Sequence, residues 1–60
     1  MEIVYVDNSI EKQLNYSVVI NNNTFIVIIK DLNAENIINA NAFEGTLQEC
    51  IEFITNNIIN

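Results

Sequence analysis

The sequence predicts an α+β domain over residues 1–60, an antiparallel sheet of three to four strands followed by one C-terminal helix packed on a sheet face. Three observations lead there. Apolar and polar residues alternate on either side of three consecutive asparagines, Asn21 to Asn23. β-branched and aromatic residues crowd the first six positions. A Thr-x-x-Glu pattern at Thr46 and Glu49 opens a stretch whose apolar residues recur at helical spacing.

The first strand is expected at Glu2 to Val6, ending in the turn formers Asp7, Asn8 and Ser9. Ile10 to Gln13 has no clear period and reads as an open loop or a short turn capped by Ser9. From Leu14 to Ile20 the pattern alternates, with Leu14, Tyr16, Val18 and Ile20 on one face and Asn15, Ser17 and Val19 on the other. Asn21 to Asn23 tolerate left-handed backbone angles, which a tight hairpin needs where glycine is lacking. Thr24 to Lys30 returns as strand three, apolar on both faces: Phe25, Val27 and Ile29 on one, Ile26 and Ile28 on the other. Such a strand belongs in the middle of a sheet, covered on both sides.

Asp31 to Glu35 is a connector with turn chemistry at Asp31 and Asn33. Over Asn36 to Phe43, the residues Ile37, Asn39, Asn41 and Phe43 alternate with Ile38, Ala40 and Ala42, which favours a fourth strand. A short helix capped by Asn33 is the alternative. Gly45 marks a break, and the capping box starts a helix from Leu47 to about Ile58. Leu47, Cys50, Ile51, Ile54 and Ile58 form its apolar stripe, with Phe53 at the border.

Size and charge narrow the functions. A chain of 60 residues buries only about 60% of the surface its unfolded form exposes, so it is marginal alone. One cysteine and no histidine leave no internal disulfide and no four-ligand zinc site, so no metal or cofactor is expected. Eight acidic residues against Lys12 and Lys30 give a net charge of −6, which disfavours direct nucleic-acid binding and favours a partner with a basic surface. The same acidity also serves solubility. The N-terminus lacks the basic and apolar blocks of a signal peptide, no apolar run reaches membrane-spanning length, and a lone thiol suits a reducing compartment. The expected location is cytoplasmic, in a host cell if a phage encodes the chain.

Catalytic chemistry finds few candidates. Glu49 and Glu52 stand three apart on one helix, as a carboxylate pair would, but Glu49 is used by the capping box and Glu52 lies on the solvated face. Cys50 near a helix start has the position of an activated thiol, yet it sits in the apolar stripe as a small hydrophobe would. The aromatic residues lack the basic groove that would make them stacking platforms for nucleic acid. A non-enzymatic binding module is the expectation. Asp31, Glu35, Glu44, Glu49 and Glu52 are its candidate partner-binding residues, through imitation of nucleic-acid charge.

Asparagine and isoleucine together make up two-fifths of the chain, and both have A/T-rich codons, which points to a low-GC bacterium or its mobile elements. The run from Phe43 through Gly45-Thr46 to Glu49-Cys50 and Ile54 resembles the strand-turn-helix ending of very small phage and prophage proteins. That resemblance implies a mobile-element origin; small size, strong acidity, the lack of a catalytic constellation and the A/T-rich codons then make a small acidic inhibitor or modulator of a host protein, such as a nuclease or defence factor, the expected function.

Tyr16 to Ile20, Phe25 to Ile29, Asp31-Leu32 and Gly45-Thr46-Leu47 through Glu49 follow the order seen in the N-terminal domain of HicB-type antitoxins, which the chain also resembles. This implies a domain that binds a small toxin. The antitoxins' Pro-Asp-Leu-Pro-Gly turn keeps only its Asp-Leu here, and the gap to the helix is longer. A self-associating structural protein is the further possibility, because one helix covers only one side of strand three. Ile26 and Ile28 would then meet a second copy, giving a homodimer joined through a sheet face or strand edge.

Overall fold

The computed structural model describes residues 2–33 and 36–60. Four strands form one antiparallel sheet in chain order, β1 (Ile3–Ser9), β2 (Leu14–Asn21), β3 (Thr24–Asp31) and β4 (Ile37–Gly45), and α1 (Leu47–Ile59) packs on one face. This is the α+β architecture that the alternation and the capping box predict. The Cα trace is only 15 Å across its shortest axis, which leaves room for one sheet and one helix.

The β2–β3 hairpin is the most regular part. Its register runs unbroken from Asn21 opposite Thr24 to Leu14 opposite Asp31. The turn rests on Asn22, which takes a left-handed φ of 60° at the cost asparagine bears better than most residues. This pairing places Tyr16, Val18, Val27 and their neighbours on one face, where Cys50 and Ile54 of α1 complete a fully buried cluster.

β1 runs three residues beyond the end expected at Val6. Asp7, Asn8 and Ser9 pair with Tyr16, Asn15 and Leu14, because the neighbouring strand meets their backbone groups and outweighs their turn preference. Ser9 still caps the following turn, its Oγ accepting from the Lys12 amide at 3.2 Å. A bulge between Ile3 and Tyr5 lets both Val4 and Tyr5 pack against the core.

The strand alternative holds for 37–45, but its simple alternation does not. Register shifts between the partners of Val27, Ile29 and Lys30 bulge β4 twice, so Ala42 and Phe43, neighbours in sequence, both reach the core. In the other half of β4, from Ile37 to Asn41, every residue is exposed.

The helix begins as the capping box requires. Thr46 Oγ1 accepts from the Glu49 amide at 3.1 Å, and Glu49 Oε1 accepts from the Thr46 amide at 3.0 Å. A Cβ added at Gly45 would lie 2.6 Å from that Glu49 oxygen, so the absence of a side chain at Gly45 leaves room for the cap. No basic residue lies in the last turn of α1. Lys12 supplies one from the β1–β2 turn by donating to the Asn57 carbonyl, where a positive charge suits the helix dipole. Ile51, expected on the buried stripe, is only half-buried, whereas the border residue Phe53 stacks on Phe43.

Candidate functional site: the open face of the sheet

Residues paired across antiparallel strands point to the same face. On the face away from α1, three rows follow from the register. Ile3, Val19, Ile26 and Glu44 form one; Val6, Ser17 and Ile28 the next; Asn8, Asn15, Lys30 and Ile37 the last. The face therefore changes from apolar at one end to amide-rich and cationic at the other.

Its centre is closed by its own side chains. Val19 is 3% exposed, Ser17 3% and Ile26 8%, although no helix lies on that side. Ile28 is half-buried. Ile26, expected to meet a second copy, is thus already nearly covered within one chain. The apolar surface that stays open comes from the edges, with Ile3 and Val6 of β1 each 51% exposed and Ile37 of β4 60% exposed.

At the polar end, a chain of hydrogen bonds crosses β2 to β1. Ser17 Oγ donates to Asn15 Oδ1 at 3.1 Å, and Asn15 Nδ2 donates to Asn8 Oδ1 at 2.8 Å. The β1–β2 turn and the β3–β4 connector close this end through Gln13, whose left-handed φ of 57° turns its groups outward. The Leu32 amide donates to the Gln13 carbonyl at 3.0 Å, and Asn33 Nδ2 to Gln13 Oε1 at 2.7 Å. Between Val6, Asn8, Lys30 and Leu32 lies an open cavity of about 310 Å³.

The candidate acidic residues divide between separate places. Glu44 ends the apolar row of the open face; Glu49 and Glu52 are exposed on the first turns of α1, with Glu52 accepting from Gln48 Nε2 at 3.2 Å. Asp31 lies six residues along β3 from Phe25, the partner of Gly45, hence about 20 Å from the helix start at ~3.3 Å per residue. Glu35 lies outside the described residues. Glu44 and Glu49 stand close enough to Cys50 to act on its thiol. Burial pushes that thiol up foremost, the two carboxylates add to the rise, and a backbone hydrogen bond at Gly45 opposes it. Burial likewise raises the Tyr16 hydroxyl.

Among the described residues, no group of three or more acidic or thiol side chains is placed to hold a metal. Among the same residues, no helix is long and apolar enough to cross a membrane. No family model, curated protein or solved structure matches the chain.

The alternation of β2 and β3 already assigns Asn15, Ser17, Val19, Ile26 and Ile28 to one face. Asn8 and Lys30 escape notice as site residues because the third row exists only if β1 continues through Asn8.

Proposed function

We propose that this chain acts by binding another protein through the open face of its sheet. The reading is carried by one observation: half-exposed Ile3 and Val6 of β1 border the buried Val19 and Ile26, with Glu44 at the far end of the row that Ile3 opens. A protein interface of standard size takes about 800 Å² from each partner. That is about a fifth of this molecule's 3877 Å² surface, so a partner would engage a whole face. The net charge of −6 speeds encounter with a basic surface.

The partner class that suits this chemistry is a host protein whose basic surface serves nucleic acid, such as a nuclease or defence factor. The chain is then a non-enzymatic inhibitor or modulator encoded by a phage or mobile element. Immobilised protein incubated with lysate of a low-GC host tests this. A basic protein should be retained at low salt and released as salt rises; retention of none, or only of acidic proteins, overturns the reading.

A homodimer is a second reading, favoured by β4. Its stretch 36–43 carries no charge, and Ile37 and Ile38 are exposed on an edge strand. Two copies would meet there without charge repulsion. Sedimentation equilibrium at micromolar concentration decides it, since a folded species of 6.8 kDa across the dilution series excludes the dimer.

A further inference from the structure

The polar end of the open face brings amide and ammonium donors together. Asn15 Oδ1 is occupied by Ser17, and Asn8 Oδ1 is occupied by Asn15. Each of these oxygens thus already accepts one hydrogen bond, Asn15 Nδ2 keeps a second N–H, and both asparagines line the cavity. Lys30 lines the same cavity and makes no ion pair among the described residues. Its chain neighbour Asp31 is engaged locally, its Oδ1 accepting from the amide of Asn33, another residue at the cavity, at 2.9 Å. Asp7, paired with Tyr16, is on the helix side.

Within an acidic protein, this end of the sheet sets one lysine ammonium beside the asparagine amides. Ile3, Val6 and Leu32 give the same cavity an apolar wall. Its volume of about 310 Å³ lies at the small end of the range for ligand pockets.

We propose that this cavity binds a small organic carboxylate carrying a short branched apolar group. The two carboxylate oxygens would accept from the Lys30 ammonium and from the Asn8 and Asn15 amides, a charge-assisted arrangement stronger than neutral hydrogen bonds. The apolar group would lie against Val6 and Leu32. This goes beyond protein binding at the same face and does not depend on it: the ligand needs the amide-rich row, whereas a protein needs the whole face.

Amide-resolved NMR titration with 3-methylbutanoate tests the proposal, with 3-methylbutylamine as the probe of opposite charge. Saturable shifts of the Asn8 and Asn15 side-chain amides and of the Lys30 backbone are expected, with a dissociation constant on the order of a millimolar for so small a ligand. The amine should give none. Lys30→Gln should weaken binding at least tenfold, while Lys12→Gln, which removes the same charge at the helix end, should keep it. Unchanged backbone spectra away from the cavity report that each variant is folded. Equal response to acid and amine, shifts that do not saturate, or equal loss in the two lysine variants would overturn the assignment.

Discussion

The rings of Phe43 and Phe53 stack with centroids 5.0 Å apart and planes 18° from parallel, joining the bulged half of β4 to the middle of α1. The contact exists because Phe43 pairs in unbroken register with Val27, a residue of the buried cluster on the helix side. Phe53→Leu keeps most of the apolar volume and loses the stacking, so it should destabilise the fold by about 1 kcal/mol. Urea unfolding measures it, and an unchanged midpoint would show that the stacking contributes nothing.

The two sides of α1 should differ sharply. Ile54 is fully buried, and Ile54→Ala should cost about 2–5 kcal/mol, enough to unfold much of a marginal domain. Ile51 is half-buried and outside the core cluster, so Ile51→Ala should cost about 1 kcal/mol. The milder Ile54→Val, at about 0.5–1.5 kcal/mol, keeps the comparison measurable if the alanine variant does not fold.

The helix start should behave as a coupled unit. Thr46→Ala should cost about 1 kcal/mol. Gly45→Ala places a methyl 2.6 Å from Glu49 Oε1 and should displace that side chain from the cap. Its effect should therefore shrink in a Glu49→Ala background, and full additivity in the double-mutant cycle would contradict the coupling.

Stability should fall on the alkaline side. The Cys50 thiol and Tyr16 hydroxyl have raised pKa values in the folded state, chiefly through burial. A raised acid holds its proton longer when folded, so the folded state loses ground once the unfolded group begins to ionise. The decline should begin near pH ~8.5 for the thiol and deepen above pH ~10 for the phenol. Cys50→Ala should remove the first part of the slope and leave the second. Urea midpoints between neutral pH and that range decide it, and a flat profile would contradict the burial of both groups.

How far the sequence reveals this molecule depends on where neighbours intervene. β2, β3 and the start of α1 are legible because alternation and capping are local rules. Residues 7–9 are not, since their turn preference yields only when β2 supplies a partner strand. The bulges of β4 are equally invisible, because nothing in Asn39, Ala40 or Asn41 marks where the register slips. The open face is half legible: its β2 and β3 members follow from period two, whereas Asn8 joins Asn15 and Lys30 only through the extension of β1. The burial of Ile26 on the face away from α1 depends on neighbours brought by the fold, which the one-dimensional pattern does not contain.

The central claim is that the open face, rather than the helix side, meets the partner protein. Its most direct test compares capture from host lysate by wild type, Val6→Glu and Gln48→Glu. Both substitutions add one negative charge at an exposed or half-exposed site, the first on the open face and the second on the outer side of α1. The account predicts that Gln48→Glu retains the basic protein bound by wild type and that Val6→Glu loses at least nine-tenths of it, roughly the tenfold change that 1.4 kcal/mol represents. Equal capture by the two variants, or loss with Gln48→Glu alone, would contradict it.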